Sequence, residues 1–398
     1  MTLMRAFLVT TAKNEAPYFL EWVAHHLEVG FTDIVVFQND SDDLTHEVLS
    51  TLRSIGAIQY FYNRAGAGRH QISAYERVSK QPEYAQCDWS MALAMDEFLV
   101  VKTGDGRLRD LIKDVPESDC IHLNWRVFGN SGYEMLNDQL VTERFSMANY
   151  QLGRPDHFGA YKCLFRPPMF TRPGIHHPHR PEESVGTVRY TNGSGLAAGE
   201  YMLKDGNSTD PGGCKLAQIN HYAVRDLASF TLKSRWGDED KANLLIRKRF
   251  WSTRNTNFEI DDSMQPYLAR VKARMEALNE ASGGRLMNLR ERAIFRHMAR
   301  YYTLLEDASM RDLRKFCKDN PNAVDLRKLK PEKAKAGKMV ADSVAVKKPA
   351  VDVGAKTVEA RKTPMTKAVS GKTAAAAPKG SARLAKKSAR KASTKAAT

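Results

Sequence analysis

The sequence predicts an α/β protein built on a mostly parallel sheet flanked by helices. Three observations predict it. Apolar runs of strand length alternate with helical stripes through the first hundred residues. A glycine closes each of the first two stripes. The acid-bearing polar segments follow the strands, where an open α/β sheet binds its ligands.

Ala6 to Thr10 is a short apolar run that opens into Thr-Ala-Lys-Asn-Glu, a buried strand feeding a loop. Pro17 suits the first turn of a helix, and Leu20, Val23, Ala24 and Leu27 give that helix one apolar face. Gly30 stops it. Asp33 to Gln38 is a second strand, and Asn39 to Asp43 a polar turn. Leu44, Val48, Leu52 and Ile55 stripe a second helix that Gly56 closes. Ala57 to Tyr62 reads as a third strand, and the run from Asp88 to Met95 leads into a fourth. Strand, helix, strand, helix, strand is the pattern of right-handed parallel crossovers. From about 119 to 225 the chain turns to Gly, Pro, His and Asn with short strand-like pieces. Helical patterns dominate from about 226 to 318, including Met264 to Leu278 and Leu286 to Leu305.

The 398 residues carry a net charge of +15, but the excess is local. Residues 331–398 hold 17 Lys and Arg against 4 Asp and Glu, which leaves the body at +2. A body so nearly neutral argues against a nucleic-acid-binding domain. The tail lacks the apolar residues to offset ordering entropy and is expected to be disordered. Such a segment binds polyanions through counterion release, with DNA, an acidic membrane surface and an anionic glycan all of the right chemistry. The five cysteines are widely spaced and form no C-x-x-C pair, which argues against a disulfide framework and against a structural zinc site. A reducing cytoplasm fits them. No apolar stretch approaches the roughly 20 residues of a transmembrane helix.

Four segments invite chemistry. Asp96 and Glu97 interrupt an apolar run from Trp89 to Val101, either as ligands of a divalent cation or as a polar turn between strands. His221 lies in Asn220-His-Tyr222 and reads as a ligand or as a satisfied structural histidine. Asn124 to Gly132 is a Trp- and Phe-bearing loop, suited to a sugar ring or to the core. Lys162 and the cluster His176-His177-Pro178-His179-Arg180 suggest a basic loop over phosphates, since the spacing matches no zinc motif.

Taken in order, Lys13-Asn14-Glu15, Glu21-Trp22-Val23-Ala24-His25-His26, Asn39-Asp40-Ser41-Asp42-Asp43, Trp89 through Asp96-Glu97-Phe98, Trp125-x-x-Phe128-Gly129, Glu143-Arg144-Phe145, Lys162 and Asn220-His221-Tyr222 resemble glycosyltransferase families 2 and 92 over residues 4–235. The resemblance is to bacterial-type enzymes and implies a GT-A fold. Its nucleotide-sugar half would span 1–118 and its acceptor-side half 119–235, followed by a helical region, 236–330, and the tail, 331–398. It implies transfer from a nucleoside-diphosphate sugar, a UDP-sugar first, to a glycan or other hydroxyl acceptor, with Mn²⁺ or Mg²⁺ as cofactor. Glu15 and Asp40 would lie at the nucleoside. Asp96, Glu97 and His221 would hold the metal, and Lys162 would supplement its charge. Members of this group mostly invert, so a carboxylate should deprotonate the acceptor. Glu134, Asp138 and Glu143 are the candidates, Glu143 preferred. The family pattern reads Asp-x-Asp-Glu-Phe, whereas this chain has Ala94 in place of the first carboxylate. That departure leaves a non-catalytic sugar-nucleotide binder as one rival reading, and a polyanion binder acting through the tail as another.

Overall fold

Side-chain alternation along the strands assigns residues to two buried layers. In β1 (Ala6–Ala12), Ala6 and Leu8 join one apolar cluster while Phe7 and Val9 join another. The next strand, Asp33–Gln38, repeats the division, with Ile34 and Val36 on the first side and Val35 and Phe37 on the second. A strand buried on both faces needs helices above and below it. Each large apolar side chain so enclosed contributes about 1.5–3 kcal/mol relative to exposure.

The computed structural model describes residues 4–66, 68–154, 156–180, 186–234 and 244–324. The basic tail expected over 331–398 lies outside the described residues. In chain order the elements are β1, α1 (Phe19–Val29), β2 (Asp33–Gln38), α2 (Thr45–Ser54), β3 (Gln59–Tyr62), α3 (His70–Val78), α4 (Pro82–Ala85), β4 (Trp89–Ala92), β5 (Glu97–Val101), α5 (Leu108–Asp114) and β6 (Cys120–Val127). There follow α6 (Val141–Arg144), β7 (Met147–Ala148), β8 (Phe158–Phe165), a 3-10 turn at Pro167–Met169, β9 (Tyr190–Asn192), β10 (Leu203–Lys204), β11 (Asn207–Thr209) and β12 (Ala217–His221). The last elements are α7 (Leu227–Lys233), α8 (Leu244–Arg254), β13 (Glu259–Ile260), α9 (Gln265–Ala281), α10 (Arg285–Leu304) and α11 (Ala308–Asp319).

The main sheet runs β3-β2-β1-β4-β8-β6-β12-β5. The four strands β3, β2, β1 and β4 are mutually parallel, as the crossover pattern predicts. Beyond them β8 is antiparallel to both β4 and β6, β12 is parallel to β6, and β5 closes the edge antiparallel to β12. The apolar run from Trp89 to Val101 is thus two strands at different places in the sheet. β4 lies beside β1, and β5 lies three strands beyond β8. The chain reverses between them at Ala94–Glu97, where the Glu97 N–H donates to the Ala94 carbonyl at 3.1 Å.

Helix α1 holds that reversal. The Trp22 indole N–H donates to the carbonyls of Ala94 (3.2 Å) and Glu97 (3.0 Å). One turn on, His25 Nε2 meets the Leu99 carbonyl at 2.8 Å. The buried Glu21 carboxylate accepts from the N–H groups of Val141 (2.8 Å) and Thr142 (3.0 Å) and from the Thr142 hydroxyl (2.8 Å), which caps the short helix α6. The family-like Glu-Trp-x-x-His-His string is therefore a brace between α1, β5 and α6.

Candidate active site

The parallel strands β1, β2 and β4 end on one edge of the sheet, and their following segments carry Glu15, Asp40 and Asp96. Antiparallel pairing sets His221, the last residue of β12, opposite Glu97, the first of β5. The register brings Asp96, Glu97, His221, Lys162 and Glu15 into one buried charged cluster.

Asp96 is 7% exposed. Its Oδ2 lies 2.8 Å from Lys233 Nζ, and its Oδ1 lies 3.7 Å from His221 Nε2. Burial works to raise its pKa, but Lys233, then His221 and Arg225, outweigh burial and keep the carboxyl ionised well below the usual range. Burial pushes His221 down to about 4, only partly offset by Asp96 and Glu97, so the imidazole is neutral at pH 7. Its Nδ1 is buried without a hydrogen-bond partner. Glu15 pairs with Arg225 at 2.6 Å, and Arg225 also donates to the Met95 carbonyl at 2.9 Å. Lys233 reaches Glu15 at 3.8 Å as well, bridging the two carboxylates.

Glu97 is engaged differently. Its Oε2 accepts from the Ala94 N–H at 2.7 Å and pairs with Lys162 at 3.2 Å. The side chain thus closes the Ala94–Glu97 turn from within, as the polar-turn reading expects. Lys162 donates in addition to the Ile175 carbonyl at 2.8 Å. Trp125 packs at a tilt of 52° against His221 with ring centroids 4.2 Å apart, and the Lys162 ammonium and Arg254 guanidinium lie 5.9 and 5.7 Å from its centroid. Its partner in the aromatic-loop reading, Phe128, packs in the core against Tyr222 instead.

Asp40 stands apart, exposed after β2 and hydrogen-bonded by the Tyr62 hydroxyl. Nor does Glu143 join the cluster. It is paired with Lys272 of α9 at 2.9 Å and lines a cleft with Asp138, Met275 and Arg290. Glu134 is paired with Lys318 and Arg314 of α11. Glu143 and Glu134 are thus committed to α9 and α11, while Asp138 meets α10 through its backbone carbonyl, which accepts from Arg290 at 2.7 Å. The residues that sequence reasoning did not single out are Arg225, Lys233 and Arg254. A cavity of about 1010 Å³ lies elsewhere, between β5 and α9 around Lys102, Arg126 and Tyr267.

Chemically, the cluster offers an ionised carboxylate, a neutral imidazole and several cations in a mostly buried place. That is an arrangement for holding a cation and an anionic leaving group. Asp96 and His221 fit a divalent ion: one is deprotonated, the other carries a free lone pair, and their separation closes onto one ion with a small movement. No helix among the described residues is long and apolar enough to cross a membrane.

Comparison with known proteins gives three results. A family model described as glycosyltransferase family 92 matches residues 10–259. A glycosyltransferase family 92 protein of Oryza sativa subsp. japonica is 25% identical over 201 residues, 47% of this chain and 31% of the rice protein. The matched chain thus spans about a third of that relative's length. Among solved structures, S. aureus TarS 1-349 is 12% identical, with 73% of this chain and 90% of that one covered at a TM-score of 0.29. HddC from Yersinia pseudotuberculosis is 10% identical, with 48% and 91% covered at a TM-score of 0.27. Scores so low carry no weight for fold or function.

Proposed function

The chain belongs to glycosyltransferase family 92, and from that premise we propose that it transfers a sugar from a nucleoside-diphosphate donor to a hydroxyl acceptor, with inversion and with a divalent cation. The observation that carries this reading is the convergence of Asp96, His221, Glu15 and Lys162 at the edge where β1, β2 and β4 end. Four segments far apart in sequence supply them. A satisfied structural cluster would not require an ionised carboxylate beside an imidazole with an orphaned nitrogen.

Asp96 and His221 would hold the cation, which supplies Lewis-acid stabilisation of the departing diphosphate. The chain's own residues do the rest. Lys162, fixed by Glu97 and the Ile175 carbonyl, presents a positive charge that needs no reorganisation as the glycosidic bond breaks. Trp125 offers a stacking face beside it. Glu15, held by Arg225, would meet the nucleoside. Glu143 keeps its ion pair with Lys272 and is not assigned the base.

One observation favours a second reading. Lys233 already occupies Asp96 at 2.8 Å, so the ammonium itself could supply the countercharge without a metal.

The deciding experiment measures binding and turnover of UDP-sugars with and without Mn²⁺, in the full chain and in Asp96→Asn and His221→Ala variants. The cation should raise donor turnover, and each substitution should remove that gain, by about 10²-fold or more. An Asp96→Asn protein with full metal-dependent turnover would sink the assignment. Turnover indifferent to chelation but lost in Lys233→Met would favour the second reading.

A further inference from the structure

On the opposite face of the same strands lies a second group that the transferase reading does not use. Cys120 and His122 are two apart on β6, so both side chains point to one face. Antiparallel pairing sets Cys163 of β8 directly across from His122. The loop after β8 folds back and adds His177. One donor atom from each of these four residues lies within 4.8 Å of the others. Cys120, His122 and Cys163 are buried, and His177 is half-buried.

Two features point to a ligand rather than to ordinary packing. The His177 Nδ1–H donates to the Pro178 carbonyl at 2.7 Å, which leaves Nε2 with its lone pair. His122 Nδ1 meets the Tyr201 hydroxyl at 2.9 Å, while its buried Nε2 has no hydrogen-bond partner among the described residues. This is the outer shell that fixes a metal-binding imidazole: one nitrogen anchored, the other presented.

We infer that Cys120, His122, Cys163 and His177 form a structural Zn²⁺ site. Two thiolates neutralise the ion, which suits the apolar surroundings of Phe165, Phe170 and Tyr190. Four protein ligands leave no open position, so the site is structural rather than catalytic. Tetrahedral bonds of roughly 2.0–2.3 Å place donors about 3.3–3.8 Å apart, so the group closes by about an ångström on binding. The absence of a C-x-x-C pair excluded a linear zinc motif. It did not exclude a site assembled across two strands and a loop.

The site lies directly behind the charged cluster. Lys162, next to Cys163 in sequence, points to the other face, and the His177 loop carries Ile175, whose carbonyl accepts from the Lys162 ammonium. The loop is closely wound: a Cβ on Gly174 would lie 1.9 Å from the His177 carbonyl oxygen, so only glycine fits there. The metal would anchor this loop against β6 and β8.

The test uses the purified full-length protein. Elemental analysis should find about one zinc per chain, and Cys120→Ser/Cys163→Ser should lose it. Co²⁺ exchanged into the wild-type protein should show the intense visible bands of a tetrahedral centre and a thiolate charge-transfer band. That second measurement decides the matter even if the variant fails to fold. Asp96→Asn should keep its zinc, so this inference and the proposed transfer reaction can fail separately. Three results would each overturn it: protein that holds no zinc and gives no tetrahedral Co²⁺ spectrum, a Cys120–Cys163 disulfide seen by mass spectrometry, or zinc fully retained after both cysteines are replaced.

Discussion

Lys233 is half-exposed, yet it holds two buried carboxylates, Asp96 at 2.8 Å and Glu15 at 3.8 Å. Any divalent ion that binds Asp96 must compete with this ammonium. Lys233→Met should therefore tighten Mn²⁺ binding by about fivefold, the ~1 kcal/mol upper end for a partly exposed ion pair. Titration calorimetry of the metal alone reads this directly, and weaker Mn²⁺ binding in the variant would show that Lys233 supports the metal rather than displacing it. Its partner Arg225 sits at the Tyr18 ring, 3.6 Å from the centroid, with its charge on Glu15. Neither cation was legible in the sequence. Glu15, Asp96, Lys162 and His221 stood in short strings whose order resembled a family, whereas Arg225 and Lys233 acquire their meaning from partners about 130 to 220 positions away. The same blindness explains Glu143, where nothing local announces that Lys272 on a distant helix will take the carboxylate.

Helix α1 shows how an element can carry a motif without carrying its chemistry. Its glutamate, tryptophan and histidines are spaced to reach α6, the Ala94–Glu97 turn and β5 in succession. Trp22→Phe keeps most of the buried ring but deletes the one N–H that serves two carbonyls of the turn. Leaving those acceptors unpaired should cost about 1–3 kcal/mol. The signature is a lowered Tm together with reduced turnover, because the turn presents Asp96. A variant with wild-type Tm and activity would show that the turn is held by Glu97 alone. The parallel half of the sheet was readable because each strand and helix announces itself by periodicity within about ten residues. The placement of β5 was not. Pairing with β12, some 120 residues on, decides it, and an apolar run gives no sign of where its second half will be inserted. The zinc ligands escaped for the same reason, since Cys163 meets His122 only through β8–β6 register.

Acid should unfold the whole molecule before most carboxylates titrate. Three described histidines outside the proposed metal sites are held neutral by burial: His25 and His297 down to about 4, and His26 well below its ordinary value. A histidine whose folded pKa is lowered contributes stability that is complete above the unfolded value, near 6.5, and is lost as pH falls toward the folded value. Below pH 6.5 the unfolded chain takes up protons that the folded chain refuses. At pH 5 His25 and His297 should each have lost about 2 kcal/mol, about 4 kcal/mol together, a large fraction of the whole stability of a typical domain. Glu21 and Asp43 work the other way, since burial raises both and they take protons earlier in the folded state. Two carboxylates do not offset three imidazoles. Circular dichroism melts between pH 7.5 and 4.5 should therefore show Tm falling steeply below pH 6. A Tm that stayed level to pH 4.5 would mean that these rings protonate in place. The origin can be tested one ring at a time. His297→Gln keeps a donor for Ser229, now 3.1 Å from the imidazole, but removes the titration. It should flatten the slope by about one proton, ~1.4 kcal/mol per pH unit, without lowering Tm at neutral pH.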